Sequence, residues 1–133
     1  MISSSVDFIA SVLALQQLDV TDLGDSVGVL SGGPLTGQYQ ILQLHFHWGA
    51  NDSVGSEHLY DGRAYPLEMH IVHKKVGEPD FLSVPEGLAV TGFMFEVDAD
   101  DNPALAPLVD ALVNIESPDT KYTMDGSAFK VNS

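Results

Sequence analysis

Residues 38–48, QYQILQLHFHW, alternate polar with apolar side chains and decide the fold. Gln43, His45 and His47 fall on one face of this segment, and large apolar side chains occupy the other face. A period of two combined with aromatic enrichment predicts a β-strand. A second segment, LEMHIVHK at residues 67–74, alternates in the same way. The two segments and the irregular connection between them predict the centre of an antiparallel sheet.

The polar faces of these two strands carry three of the 5 histidines of the chain. Side chains at positions i and i+2 of a strand point the same way, with Cα atoms about 6.6 Å apart. His45 and His47 meet this condition, and His70 has the parity to join them from the neighbouring strand. Three imidazoles can hold one zinc ion and leave its fourth position open, which is typical of a catalytic site. Gln43 and Glu68, each two residues before a histidine, are the predicted partners of the outer ring nitrogens.

The same histidines also admit a structural explanation. A His-x-His pair on a strand is often only a half-exposed face, and a single histidine is more often a hydrogen-bonded structural residue than a ligand. We assign His58 and His73 to that structural class, because one lies in the loop and the other on the opposite strand face. The combined pattern with Gln43 and Glu68 favours the metal site, because a purely structural core gains little from burying two further polar side chains.

The chain beyond the second strand predicts one more strand and one helix. Residues 88–97 are strongly apolar and rich in Val and Phe. Asn102 is a predicted helix cap with Pro103 at the first helical position, followed by apolar residues at helical spacing. The polar tail from Ser117 is expected to be irregular. The sequence thus predicts a mainly β fold with minor α, in which a twisted, mostly antiparallel sheet carries one helix at about residues 103–116.

Residues 1–30 admit two local structures. Ser3–Ser5 can cap a helix whose apolar pattern runs to Leu15, whereas Val27–Leu30 favours a short strand. The first residues contain a short apolar stretch without a basic flank, so they do not read as a signal peptide. The compartment therefore stays open between extracellular and cytoplasmic.

Composition limits the partners of the chain. Its 133 residues, 44% of them hydrophobic, suffice for one modest domain with a core. Nineteen acidic and 5 basic side chains give a net charge of -14, which argues against binding to nucleic acids or anionic membranes. The sequence contains no apolar run long enough for a membrane span and no cysteine. Asn51 begins a glycosylation sequon that matters only in a secreted chain, and the oligomeric state stays open.

Three motifs follow one another in the middle of the chain, namely QLHFHWG at 43–49, GSEH at 55–58 and EMHIVH at 68–73. Their order, spacing and intervening loop closely resemble those of the α-class carbonic anhydrases. Flanking segments around the GGPL and NPAL sequences extend the resemblance over roughly residues 22–116. The resemblance implies a partial carbonic anhydrase domain at residues 22–133 and leaves residues 1–21 unassigned.

The resemblance implies a zinc enzyme that reversibly hydrates carbon dioxide to bicarbonate and a proton. His45, His47 and His70 match the three zinc ligands of the family. Gln43 and Glu68 match the outer partners of the first and third ligands. Neutral ligands leave the full positive charge of the metal available to activate water.

Further positions match the catalytic carboxylate and the substrate pocket of the family. Glu57 matches a buried carboxylate that accepts a hydrogen bond from a threonine and so orients the hydroxide nucleophile. Val72, Leu88 and Val90 match positions that line the apolar pocket for carbon dioxide. A loose alignment puts Asp25 at the position of the proton-shuttling histidine of many members.

The chain departs from the family in length. Family domains are much longer, and the Leu-Thr-Thr-Pro-Pro stretch that carries the threonine partner of Glu57 does not occur in this sequence. The chain is therefore expected to be a middle portion of the domain that keeps the metal site and lacks part of the catalytic apparatus. Two alternatives stay open: a catalytically impaired or inactive zinc-binding module, and a piece whose open sheet edges prevent stable folding.

Overall fold

The computed structural model describes residues 16–21, 28–115 and 121–125. Five strands dominate this part of the chain, namely β1 (Gln16–Thr21), β2 (Tyr39–Trp48), β3 (Leu67–Lys75), β4 (Leu88–Phe95) and β5 (Lys121–Asp125). They form one sheet in the order β4-β3-β2-β1-β5. All neighbouring strands are antiparallel except β1 and β5, which are parallel. The predicted mainly β fold with a mostly antiparallel sheet is confirmed.

The long β2–β3 pair positions the candidate site. Both strands alternate as predicted, and His45 lies directly opposite His70. A β-bulge interrupts the register near the start of β2, because Ile41 and Gln43 pair with consecutive residues of β3. Beyond the bulge the register is regular, so every second residue from Gln43 onwards faces the same side of the sheet.

One helical segment follows β4, as predicted. It comprises a 3₁₀ turn (Pro103–Leu105), helix α1 (Ala106–Leu112) and a second 3₁₀ turn (Val113–Ile115). Asn102 caps its start, since its side-chain oxygen accepts a hydrogen bond from the Ala104 backbone N–H at 3.0 Å. In the described ranges no helix combines the length and apolar character that crossing a bilayer requires.

The core lies between the sheet and α1. Leu44 and Phe46 of β2 and Leu67 of β3 join Leu108 and Leu112 of α1 in one cluster of buried side chains. Phe46 is only 1% exposed, and burying a side chain of this kind stabilises the fold by about 1.5–3 kcal/mol. The apolar face of β2 therefore builds the core and leaves the opposite face for polar residues.

The expectation of an irregular tail from Ser117 is wrong in one respect. Lys121–Asp125 form β5, which pairs in parallel with β1. A five-residue strand with a charged residue at each end carries no clear alternation, and its pairing partner lies far away along the chain. Local pattern therefore does not reveal it.

Of the two elements expected within residues 1–30, only the end of the short strand lies among the described residues. The helix expected up to Leu15 lies outside the described residues. Of the short strand expected at Val27–Leu30, Leu30 forms an isolated bridge with Tyr39, and Val27 lies outside the described residues.

Candidate metal centre

Three histidine side chains converge on the polar face of the β2–β3 pair. His45 lies opposite His70, and His47 stands two residues further along β2. One ring nitrogen of each residue lies within 4.8 Å of the others. Nε2 of His45 is 3.2 Å from Nδ1 of His70. The structure thus brings together the three side chains whose strand parity predicted a shared ion.

Gln43 orients the ring of His45. The Gln43 Oε1 atom lies 3.0 Å from His45 Nδ1. With the amide oxygen as acceptor, the ring proton sits on Nδ1, and Nε2 keeps its lone pair. The two residues occupy alternate positions of β2, so the strand itself brings them together.

Glu68 orients the ring of His70 from a buried position. Its side chain is 1% exposed, and Oε1 accepts a hydrogen bond from His70 Nε2 at 2.6 Å. His58 adds two hydrogen bonds, from its backbone N–H to Oε2 at 2.8 Å and from Nδ1 to Oε1 at 2.7 Å. Burial raises the pKa of the Glu68 carboxyl, but these hydrogen bonds outweigh burial and lower the pKa to about 2. Glu68 is therefore an anion that keeps the proton of His70 on Nε2 and leaves the Nδ1 lone pair inside the triad.

The three ring nitrogens that face one another in the triad are better suited to bind a cation than to form hydrogen bonds with one another. Nε2 of His45 and Nδ1 of His70 both present lone pairs, because their protons lie on the outer nitrogens. Nε2 of His47 is buried and has no hydrogen-bond partner among the described residues. An unsatisfied buried polar atom is costly, and one metal ion coordinated by all three nitrogens would satisfy it.

The electrostatics of the site favour the metal-binding form of the rings. Burial lowers the pKa of His45 below 6.5, and the neighbouring His47 and His70 lower it further. Burial likewise lowers the pKa of His47, although Glu57 partly opposes the shift. Both rings are therefore neutral at pH 7, with lone pairs available for a metal ion.

Gly92 of β4 leaves room for this network. It pairs with His70 in the sheet. A Cβ atom at position 92 would lie 3.2 Å from Glu68 Oε1 and 3.5 Å from His70 Cδ2. Because the first distance is tighter than an ordinary van der Waals contact, a side chain here would press on the carboxylate that orients His70.

Glu57 stands at the open side of the triad. Its Oε2 atom lies 3.8 Å from His47 Nε2 and 3.9 Å from His70 Nδ1. The resemblance implied a buried carboxylate at this position, but the side chain is 55% exposed. Glu57 belongs to the loop between β2 and β3, where solvent reaches its side chain.

A family model for eukaryotic-type carbonic anhydrases matches residues 15–133. The chain belongs to this family. Carbonic anhydrase 7 of Mus musculus and its Homo sapiens counterpart are 44% and 43% identical to it over 109 residues. The mitochondrial carbonic anhydrase 5A of Rattus norvegicus is 42% identical over 112 residues. These alignments cover 79–81% of this chain but only 36–40% of the relatives, so the chain spans about two fifths of their length.

The three residues that the resemblance led us to expect in a substrate pocket form a row beside the triad. Val72 is buried and pairs with Val90 of β4, whereas Leu88 pairs with Lys74. Strand parity puts Val72, Val90 and Leu88 on the face that carries His70. Val90 is 56% exposed and Leu88 is 40% exposed, so in the described chain this apolar wall is open to solvent.

The other two histidines are hydrogen-bonded, as expected of structural residues. His73 is 6% exposed, and its Nδ1 lies 3.3 Å from the Ala89 carbonyl oxygen. The contacts of His58 with Glu68 were not anticipated from the sequence, because they join a loop to a strand and leave no periodic signal. Asp25, the candidate proton-shuttle position, lies outside the described residues.

Proposed function

We propose that the chain binds one zinc ion through Nε2 of His45, Nε2 of His47 and Nδ1 of His70. The observation that carries this proposal is the buried Nε2 of His47, which has no hydrogen-bond partner within the described ranges and lies beside the lone pairs of the other two rings. Zinc accepts imidazole nitrogens in tetrahedral geometry, so three neutral rings fit it and leave one position open. An open position is typical of a catalytic zinc site.

The activity that this site supports best is the reversible hydration of carbon dioxide to bicarbonate and a proton. Family membership and the triad both favour it. The chain spans about two fifths of the length of the relatives it matches, so we propose this activity for it on the basis of its own site. When bound, zinc lowers the pKa of a water molecule to about 7 and so supplies hydroxide at neutral pH.

The chain's own residues prepare this chemistry. Gln43 and Glu68 hold the ring protons of His45 and His70 on the outer nitrogens, so the inner nitrogens stay free to bind. This arrangement fixes both tautomers before a metal ion arrives. Neither ring proton has to move to the other nitrogen of its ring when the ion binds.

The neighbouring positions receive roles from the family resemblance. Val72, Leu88 and Val90 offer an apolar surface on which a nonpolar gas can displace water. We assign Glu57 as the carboxylate that acts at the open side of the site, and Asp25 as the proton shuttle.

Zinc binding is tested first with the purified chain and its His45→Ala variant. The unmodified chain should hold one zinc per chain by elemental analysis, and His45→Ala should lose it. His73→Gln is the matched control, because it replaces a buried histidine on the opposite face. Full zinc stoichiometry in His45→Ala would contradict the assigned ligands.

Activity is tested by stopped-flow measurement of carbon dioxide hydration on the zinc-loaded chain. A rate above background that a sulfonamide abolishes supports the enzyme. The absence of any inhibitable rate would reject hydration by this chain while leaving the zinc site intact.

A zinc-binding module without hydration activity is the second candidate. The open apolar wall and the half-exposed Glu57 favour it, because neither encloses a substrate. One zinc per chain together with no inhibitable hydration would select this candidate over the enzyme.

A further inference from the structure

We infer that Asn51 accepts an N-linked oligosaccharide when the chain passes through a secretory compartment. The donor is of the lipid-linked oligosaccharide pyrophosphate class, from which a transferase moves the sugar to the side-chain amide. The modified residue lies in the loop between β2 and β3, and its modification does not depend on the zinc site.

The sequence supplies the acceptor motif. Asn51-Asp52-Ser53 fits the pattern Asn-x-Ser with a residue other than proline in the middle. It is the one complete triplet of this kind within residues 1–133. Asn102 and Asn114 are not acceptors by this rule, because neither has Ser or Thr two positions later. A single attachment position is therefore expected in this stretch of chain.

The motif forms the tip of a tight turn whose side chains reach solvent. Residues 51–53 are all exposed. The backbone N–H of Val54 donates a hydrogen bond to the Asn51 carbonyl oxygen at 3.2 Å, and the two residues form an isolated β-bridge. Gly49 allows the returning chain to pass close by, because a Cβ atom there would collide with the Val54 carbonyl group. The turn is thus closed through its backbone, and the three side chains of the motif remain accessible to a transferase.

Ser53 orients the amide of Asn51. Its backbone N–H and its Oγ donate hydrogen bonds to Asn51 Oδ1 at 3.0 Å and 2.6 Å. An amide nitrogen carries two protons and accepts nothing, so the atom that receives these bonds is the oxygen. Oδ1 and Nδ2 lie on different sides of the planar amide group. The nitrogen that receives the sugar therefore faces away from the two donors.

The reaction is a group transfer without oxidation or reduction. Nδ2 of Asn51 forms a bond to the anomeric carbon of the sugar and loses one proton. The bond between that carbon and the pyrophosphate oxygen breaks, and the lipid pyrophosphate leaves with the electron pair. Oδ1 takes no part in the new bond, so it can keep both hydrogen bonds from Ser53 after the transfer.

The fold accommodates a glycan at this position. An N-linked oligosaccharide is bulky and hydrophilic and needs a surface position. The hydrogen bonds described for Asn51 and Ser53 stay within residues 51–54. Glu57, which stands beside the triad, comes later in the loop. The sugar therefore extends into solvent without displacing a buried side chain or a histidine of the proposed metal site.

The test expresses the full chain behind a cleavable secretion leader in eukaryotic cells and measures the intact mass of the secreted protein. The mass should exceed that of the bare chain by one oligosaccharide. Peptide N-glycosidase should remove this excess and leave Asn51 converted to aspartate, which peptide mass spectrometry detects. Secretion of the chain without attached sugar would overturn the inference.

Variants assign the position and the part played by the hydroxyl group. Asn51→Gln should lose the whole mass excess, whereas Asn114→Gln, at an exposed asparagine outside the motif, should keep it. Ser53→Ala should also lose it, and Ser53→Thr should retain it, because threonine preserves the hydroxyl group. A glycan that persists in Asn51→Gln or in Ser53→Ala would refute the assigned site. The Ser53 pair decides the question even if Asn51→Gln is not secreted.

Zinc binding checks that the sugar lies outside the metal site. The glycosylated chain and the enzymatically deglycosylated chain should have equal zinc dissociation constants in chelator competition. Weaker binding by the glycosylated form alone would contradict a glycan that extends away from the triad.

Discussion

The two faces of strand β2 differ in what they contribute to the molecule. On one face, Leu44 and Phe46 are buried against α1 in an apolar cluster. On the other face, His45 and His47 meet His70 with ring nitrogens within 4.8 Å of one another. The apolar face stabilises the fold by burial alone. The polar face buries Nε2 of His47, which finds no hydrogen-bond partner in the part of the chain that the structure describes, at a cost of about 1–3 kcal/mol.

This difference separates stability from binding. The Nε2 atom of His47 is unfavourable without a ligand, so the histidine triad contributes to binding rather than to stability. Substitutions on the apolar face should therefore change the free energy of unfolding and spare metal affinity. Substitutions of the three histidines should change metal affinity more than the free energy of unfolding.

The largest change in zinc affinity is expected for His70→Ala. Zinc affinity should fall by more than about 100-fold, because the variant lacks a ligand, and outer partners alone contribute about 10- to 100-fold. Chelator competition measures the dissociation constant, and His73→Gln serves as the control on the opposite face. Unchanged affinity in His70→Ala would mean that the polar face is not a metal site.

Phe46→Ala tests the apolar face. The free energy of unfolding should fall by about 3–5 kcal/mol, since the side chain is almost fully buried. The zinc dissociation constant of the folded protein should stay the same. Urea denaturation followed by circular dichroism measures the loss, with Val54→Ala as an exposed control expected to change stability by less than about 0.5 kcal/mol. A loss in Phe46→Ala no larger than that of the control would remove the contrast between the faces.

Acid should weaken the metal-free chain through Glu68. A pKa lowered from 4.5 to about 2 stabilises the fold by about 3 kcal/mol above pH 4.5. This contribution is lost as pH falls from 4.5 towards 2, because the unfolded chain takes up the proton first. Urea denaturation at several pH values should therefore show a smaller acid-induced loss in Glu68→Gln than in the unmodified chain. Parallel losses in the two proteins would show that Glu68 does not carry the effect.

The smallest change is expected for Gln43→Ala. Zinc affinity should weaken by about tenfold, because His45 loses the partner of its outer nitrogen but keeps its own ligand atom. Gln40→Ala, at an exposed position of the same strand, should leave affinity unchanged. If both variants bound zinc equally well, the hydrogen bond would contribute nothing to the site.

The triad was predictable because it depends on short-range periodicity. Because alternate residues of a strand share a face, His45 and His47 of β2 lie on the same face of the sheet as His70 of β3. Gln43 and Glu68 lie on that face as well, since each stands two residues before a histidine. The alternation is a local property of the sequence, so it is visible without knowledge of the rest of the chain.

The features that the sequence did not predict depend on contacts between residues that are far apart along the chain. The exposure of Glu57 and Val90 is set by what covers them, and no local pattern encodes that. Strand β5 forms because β1 offers an edge far away along the chain, not because Lys121–Asp125 alternate. The hydrogen bonds of His58 to Glu68 likewise join a loop to a strand.

Gly92 keeps strand β4, at one edge of the described sheet, close to the carboxylate and the imidazole of the site. It carries no chemistry of its own, yet one added methyl group would meet Glu68 at 3.2 Å and reach the rim of the His70 ring at 3.5 Å. A displaced carboxylate would tilt the imidazole it holds and move Nδ1 away from the other two donors. The geometry of the triad thus depends on a strand that contributes no ligand, and a larger residue at position 92 would weaken metal binding even though all three histidines are retained.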